Sequence, residues 1–306
     1  MSDIVVLNNK IHGLNPERYA QTIREAPIEA TVSYARTPVE AKELLADATV
    51  ATGYQISPEL VESAVNLDLF VCTFAGTDHL PLETLENQGV SVESASGVHG
   101  PNISEQVLGY VLSNVRNLWK ARSQNERAEW CHFQGGELKG STATVVGLGP
   151  IGETIVDRFN AFDVKTMGVR YTPSKGGNAD EIIGFEEDAL LDVFSRTDYL
   201  VLACPLTPTT EGLIDEDVFS TLPTNAMLIN VARGAVVDTD DLVTALQGNE
   251  IANAAVDVTK PEPLPSDHPL WSLNNCLVTP HNAGHTPKYW ERCTDILLSA
   301  VDNEIQ

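Results

Sequence analysis

The sequence predicts an α/β chain built as two doubly wound parallel-sheet domains, on three observations. Short apolar runs alternate with amphipathic stretches along the 306 residues, and such strand–helix alternation builds parallel sheets. Many of the runs are Val/Ile-rich and apolar throughout, as strands covered on both faces should be. Two Gly/Pro-containing breaks, Ser96-Gly97-Val98-His99-Gly100-Pro101-Asn102 and Gly284-His285-Thr286-Pro287-Lys288, divide the chain.

In chain order, strands are expected over 3–8 (centred on Ile4-Val5-Val6-Leu7), 49–53, 68–73 and 90–93, with helical patterns over 38–47 and 80–88. After the first break a long helical pattern runs over 102–130. Strands follow at 142–147, 164–169, 198–202, 226–230, 252–257 and 276–279, with helices at 150–162, 186–195 and 239–248. A last helix covers 288–304. Residues 1–99 plus 285–306 are then one domain and 100–284 the other. Two chain crossings form a hinge beside a cleft.

Forty-three acidic residues face 19 basic ones, a net charge of -24, yet 42% of the chain is hydrophobic. That much apolar content supports a core and excludes disorder. The acidity excludes general nucleic-acid binding, because phosphate backbones are repelled. Acids fall in short clusters, Glu186-Glu187-Asp188, Asp215-Glu216-Asp217 and Asp238-Thr239-Asp240-Asp241, and none makes a charged tail. We read a strongly hydrated surface adapted to high salt, which screens self-repulsion. No run of 18 apolar residues occurs, so no membrane span is expected. The start, Met1-Ser2-Asp3, has no basic region or cleavage pattern. Cys72, Cys131, Cys204, Cys276 and Cys293 are widely spaced, without C-x-x-C or a Cys/His cluster. That points to a reducing cytoplasm and no metal.

The first motif is Gly147-Leu148-Gly149-Pro150-Ile151-Gly152, a G-x-G-x-x-G between a buried-type strand and a helix. That context makes it a dinucleotide fingerprint. Gly147 permits the tight turn, Gly149 lets backbone approach a pyrophosphate and Gly152 allows close helix–strand packing, with phosphate at the helix N-terminus. At the end of the next strand stands Gly168-Val169-Arg170-Tyr171-Thr172, with Arg170 at or beside the acidic position of NAD-binding units. A guanidinium clamps a 2′-phosphate, no carboxylate is expected to repel it, and Thr172, Ser174 and Lys175 add donors. NADP(H) is therefore the expected cofactor, with NAD(H) as the alternative if Arg170 only stacks on adenine.

Three further segments follow strands: Asn230-Val231-Ala232-Arg233-Gly234, Asp257 through Pro263 with Glu262 between prolines, and Thr279-Pro280-His281-Asn282-Ala283. Each ends a strand where α/β sheets bind ligands. Together with Cys204-Pro205-Leu206-Thr207, Phe74-Ala75-Gly76-Thr77-Asp78-His79-Leu80 and Asn102-Ile103-Ser104-Glu105, they cover nearly the whole chain in order. On these residues the chain resembles the D-isomer-specific 2-hydroxyacid dehydrogenases.

The resemblance implies a Rossmann cofactor domain inserted in a flavodoxin-like substrate domain, a homodimer, and a catalytic trio of Arg233, Glu262 and His281. It also implies cofactor contacts from Asp257 to the nicotinamide carboxamide and from Pro205 beside the ring. Cys204, Thr210, Val231, Ala232 and Ala283 complete the cofactor set. The substrate, a 2-keto or 2-hydroxy acid, would meet backbone N–H groups at Ala75, Gly76 and Thr77, with Tyr54 and Gln55 shaping its side chain. The chemistry is coherent: the nicotinamide supplies hydride, His281 the proton, Glu262 favours the imidazolium, and Arg233 holds the carboxylate and the developing oxyanion.

Glu262 argues against formate dehydrogenase, the rival whose histidine pairs with Gln. Glyoxylate/hydroxypyruvate reductase stays open, as does a dinucleotide-sensing binding protein. His12, His79, His99, His132, His268 and His285 are read as structural or surface residues, and Trp119 and Trp130, placed on the long helix, as packing or dimer contacts.

Overall fold

The computed structural model describes residues 2–10 and 13–304; His12 lies outside the described residues. The chain divides into two compact units, one ending at His99 and resuming at His285, the other running from Gly100 to Gly284.

The first unit alternates β1 (Ser2–Leu7), α1 (Pro16–Glu25), β2 (Ala30–Ala35), α2 (Pro38–Leu45), β3 (Val50–Gly53), α3 (Pro58–Ser63), β4 (Leu69–Cys72), α4 (Leu82–Asn87) and β5 (Ser91–Ser94). The strands form one parallel sheet of order β2-β1-β3-β4-β5, the flavodoxin-like doubly wound order. Apolar residues pack on both faces. One layer centres on Ile4, Val6 and Val71 with Tyr19 and Ile23, the other on Val5, Ala51 and Phe70 with Leu45 and Leu85. Prolines at the first turns of α1, α2 and α3 sit where a helix needs no N–H, behind Asn15, Thr37 and Ser57 side-chain caps.

The second unit begins with α5 (Gly100–Val115) and α6 (Leu118–Glu126). It continues through β6 (Thr142–Val146), α7 (Pro150–Asn160), β7 (Lys165–Val169), β8 (Glu181–Ile183), α8 (Glu187–Phe194), β9 (Tyr199–Leu202) and α9 (Glu216–Thr221). Then come β10 (Met227–Asn230), α10 (Thr239–Gly248), β11 (Asn253–Val256) and β12 (Cys276–Val278). α11 (Tyr289–Glu304) closes the chain and packs in the first unit, where Tyr289, Trp290 and Leu297 join its core. The seven-stranded sheet is parallel, ordered β12-β11-β10-β9-β6-β7-β8, a Rossmann arrangement whose strand order reverses between β6 and β9. Its strands β6, β9 and β10 are almost wholly buried, which explains their unbroken apolar runs.

Two strands escape the sequence pattern, β2 and β8. Both are edge strands with largely half-buried residues, so neither carries a continuous apolar run. The expected 102–130 helix is corrected. It breaks at Asn117, whose φ of 53° is left-handed. The returning segment lies across the break: Gly136 N–H donates to the Val115 carbonyl at 2.7 Å, and Arg116 and Asn117 side chains donate to the Gly136 and Gln134 carbonyls. Helical structure ends at Glu126. Trp130 therefore lies beyond the helix and is 92% exposed, whereas Trp119 on α6 packs against the second unit's core.

The acidic clusters gain a structural reading. Glu187 and Asp188 open α8, Asp215 caps α9 ahead of Glu216 and Asp217, and Asp238 caps α10 ahead of Asp240 and Asp241. Each cluster meets the positive end of a helix dipole, so this part of the negative charge stabilises local structure.

Candidate active site

In the second unit, strand ends along the C-terminal edge of the sheet carry the chemistry-bearing residues. At the β6 end, Gly147 has φ +100°, and a Cβ there would meet the Cys204 backbone at 2.6 Å. A Cβ at Gly152 would stand 1.9 Å from the Gly147 carbonyl oxygen, so the start of α7 packs directly on the turn. Gly149 is different: nothing lies within 4 Å of its Cβ position, and as N-cap of α7 it offers no side-chain bond. The first N–H groups of the helix, at Ile151 and Gly152 after Pro150, are left for an outside acceptor. An open glycine at an uncapped helix N-terminus fits a dinucleotide pyrophosphate. Beside it lies a cavity of about 280 Å³ lined by Gly147, Gly149, Arg170, Thr172, Lys175 and Pro205, among others.

Cys204, Pro205, Tyr171 and Thr210 also line that cavity. Burial pushes the Cys204 thiol up to about 11, so it stays a neutral wall. Thr210 is buried, and its hydroxyl donates to the Pro205 carbonyl (2.6 Å) while accepting from Thr207 N–H (2.9 Å). It shapes the 205–210 loop from within.

At the β10 end, buried Asn230 builds the turn that presents Arg233. Its Oδ1 accepts from Ala232 N–H (3.0 Å) and its Nδ2 donates to the Arg233 carbonyl (3.1 Å). Val231 N–H pairs back to Leu202, and Ala232 is buried. The next residue must be glycine: a Cβ on Gly234 would fall 2.1 Å from the Thr259 carbonyl. The loop after β11 thus runs directly over Gly234 and carries Glu262 into the neighbourhood of the β10 and β12 ends.

Asp257, at the β11 end, is 3% exposed and ties down the loop after β12. Its Oδ1 accepts from Thr279 Oγ1 (2.5 Å) and Asn282 N–H (3.1 Å), and its Oδ2 from Ala283 N–H (2.9 Å). The His281 N–H donates to the Asp257 carbonyl at 2.8 Å. Tyr110 on α5 bonds Thr279 at 2.6 Å; burial, then the Asp257 charge, push its phenol up, so it braces the loop as a neutral group. Asn102 donates to the Ala283 carbonyl. So fixed, His281 takes a left-handed φ of 50°, and its Nδ1 hydrogen-bonds Glu262 Oε1. The pair is partly exposed, 51% and 40%, leaving the opposite ring nitrogen, Nε2, to face a ligand.

Arg170 at the β7 end is not left free. Its Nη1 donates to the Gly176 carbonyl and lies 3.6 Å from Glu153 Oε1. The expectation of a carboxylate-free phosphate site is therefore corrected: Glu153, in the first turn of α7, stands beside the arginine. The sequence signal was its place directly after Gly152. The bracing roles of Asn230, Tyr110 and Asn102 leave no sequence signal, because hydrogen bonds to backbone groups or to the Thr279 hydroxyl follow no spacing pattern.

In the first unit, Ala75, Gly76 and Thr77 follow β4 in an irregular turn, and a Cβ at Gly76 would meet nothing nearer than 3.9 Å. Tyr54 follows β3, stacks on His79 with centroids 4.3 Å apart and meets Phe74 edge-on. His79 bonds the Tyr54 carbonyl at 2.6 Å, which gives it the structural place expected. Among the described residues no group of three His, Cys, Asp or Glu could hold a metal, and no helix is long and apolar enough to cross a membrane.

A Rossmann sheet with an open glycine cradle, an arginine at the β10 end and a carboxylate-paired histidine at the β12 end of the same edge, defines a dinucleotide-dependent oxidoreductase. Residues 108–283 match the family model for the D-isomer specific 2-hydroxyacid dehydrogenase NAD-binding domain. The chain belongs to the D-isomer specific 2-hydroxyacid dehydrogenase family. It is 32% identical to a human glyoxylate reductase/hydroxypyruvate reductase over 303 residues, covering 90% of this chain and 91% of that protein. It is 33% identical to a D-3-phosphoglycerate dehydrogenase of Methanocaldococcus jannaschii, covering 89% of this chain but 53% of that longer protein. Among solved structures, a family member from Aeromonas salmonicida superposes with a TM-score of 0.75 at 26% identity, covering 99% of this chain and 96% of that one.

Proposed function

We propose that the protein reduces a 2-keto acid to the D-2-hydroxy acid, reversibly, with NADPH as the preferred cofactor and His281 as acid/base. The observation that carries this reading is the His281–Glu262 hydrogen bond, made between the segments after β12 and β11 on the same sheet edge as Arg233 after β10. Gly147, Gly149, Pro150, Ile151 and Gly152 would hold the pyrophosphate. Arg170, Tyr171 and Thr172 would meet the adenosine end, and Cys204, Pro205, Val231, Ala232 and Ala283 the nicotinamide. Asp257 Oδ2 accepts one bond from Ala283 and keeps a lone pair for the carboxamide. When bound, the dinucleotide supplies the hydride for C2.

The chain's own groups do the rest. Arg233 binds the substrate carboxylate and the carbonyl oxygen, orienting C2 and stabilising charge as it develops. Backbone N–H groups at Ala75, Gly76 and Thr77 hold the carboxylate, and Tyr54 bears on the side chain. His281 Nε2 delivers the proton to the carbonyl oxygen, while Glu262 fixes the ring through Nδ1 and stabilises the imidazolium. In the oxidative direction the same nitrogen takes the proton back.

Glyoxylate and hydroxypyruvate are the first substrates to try, because the human relative is a glyoxylate reductase/hydroxypyruvate reductase. We read the protein further as a cytoplasmic homodimer suited to high salt. Five free cysteines, the exposed Trp130 and Leu118 and the net charge of -24 support these readings. The test is reduced-nicotinamide absorbance with a panel of glyoxylate, hydroxypyruvate, pyruvate and phenylpyruvate, run with NADPH and NADH from low to molar KCl. Consumption with a higher kcat/KM for NADPH, persisting at molar KCl, is the expected result. Dinucleotide binding without turnover on any keto acid contradicts the reading and favours a sensor; collapse of activity at molar KCl contradicts the high-salt reading alone.

A further inference from the structure

The segment after β7 is held to α7 in an unusual way. Asn178 bonds three residues on one face of that helix. Its N–H donates to Glu153 Oε2 (2.9 Å), its Nδ2 donates to Asp157 Oδ1 (2.8 Å), and its carbonyl accepts from Asn160 Nδ2 (3.0 Å). Positions 153, 157 and 160 share a helix face at spacings of four and three. The other end of the segment is held by Arg170, through the Gly176 carbonyl. Glu153 joins the two anchors: one carboxylate oxygen receives Asn178, the other faces Arg170 Nη1 at 3.6 Å. Gly177 makes room for it, since a Cβ there would stand 2.5 Å from Glu153 Oε1. Both charged side chains are withdrawn from solvent, at 19% and 26% exposure, so their interaction is less screened than that of a surface pair.

We propose that Glu153 is a specificity-determining residue, which sets how far Arg170 favours a 2′-phosphorylated dinucleotide over one with a free 2′-hydroxyl. The proposal rests on the reading above that Arg170 meets the adenosine end of the cofactor. The arginine and Lys175 line the cavity beside the glycine turn, and the arginine is the partly buried one. A 2′-phosphate brings up to two negative charges, a hydroxyl none. Glu153 already satisfies part of the guanidinium and repels a second anion arriving there. It therefore costs NADPH affinity while leaving NADH nearly untouched. In return it orders the 172–178 segment that both dinucleotides would meet.

Glu153→Gln separates the two roles. The amide oxygen still accepts from Asn178 N–H, but the charge is gone. Asp157→Asn is the control, since it removes one charge from the same helix face without a partner in Arg170. Calorimetric titration of wild type and both variants with NADPH and NADH gives the ratio Kd(NADH)/Kd(NADPH). Taking both ligands on one preparation cancels any loss of folded fraction. Removing one screened charge beside a ligand charge should raise that ratio about fivefold in Glu153→Gln and less than about twofold in Asp157→Asn. An unchanged or lower ratio in Glu153→Gln, or an equal rise in Asp157→Asn, overturns the proposal. The wild-type ratio separately tests NADPH preference: wild type favouring NADH contradicts that preference, while a fivefold rise on Glu153→Gln still supports the role of Glu153.

Discussion

Replacing His281 with alanine lowers kcat for 2-keto acid reduction by about 10²–10⁴-fold, the usual loss when a positioned general acid is removed. Dinucleotide affinity stays near wild type, because the glycine turn and the uncapped start of α7 belong to other strand ends. The size of the effect follows from how much of the local structure is spent on this one ring. Asp257 receives three donors from the loop around it, Tyr110 braces Thr279, and Glu262 holds Nδ1. Those contacts fix the tautomer and direction of Nε2 before substrate arrives, as a proton donor requires. Steady-state kinetics and NADPH titration of the variant check this. A loss smaller than about threefold removes His281 from the proton-transfer role.

Arg233→Ala should be nearly as damaging in kcat/KM, by about 10²–10³-fold, with KM raised and kcat lowered together. The arginine is assigned to two groups at once: the carboxylate, present in ground and transition states, and the carbonyl oxygen, whose charge grows only during reaction. Loss of the first raises KM and loss of the second lowers kcat. Arg233→Lys should recover only part of the loss, because an ammonium is a point charge and cannot bridge both oxygens in one plane. A variant altered in KM alone would confine Arg233 to carboxylate binding.

Both assignments lie on residues that the sequence exposed, and the reason is physical. Arg233, Glu262 and His281 follow the neighbouring parallel strands β10, β11 and β12, each written as a short, largely apolar run that ends where ligands bind. Gly147 and Gly152 are legible because close backbone approach leaves no alternative to glycine, and Gly149 because its place at the start of α7 stays open for a ligand. What stayed hidden depends on contacts rather than on runs. Edge strands β2 and β8, covered on fewer sides, carry no continuous apolar signal. The break at Asn117 is enforced by residues 134–136 folding back on it, and a helical pattern read locally cannot see that segment. Glu153 stands in the first turn of α7, one residue past the glycine motif, and only the fold brings its carboxylate to Arg170. The acidic clusters read as bulk surface charge, whereas three of them cap or open helices.

The reaction proposed for this site is direct hydride transfer to C2 of a 2-keto acid with protonation at its carbonyl oxygen. The most direct measurement supplies NADPH deuterated at the nicotinamide C4 together with glyoxylate and, separately, phenylpyruvate. The products are then followed by NMR and chiral chromatography. One deuterium at C2 of each hydroxy acid, an ordinary solvent-exchangeable hydroxyl proton, and the D isomer from phenylpyruvate are expected. A hydroxy acid without deuterium at C2, or the L isomer from phenylpyruvate, would contradict it.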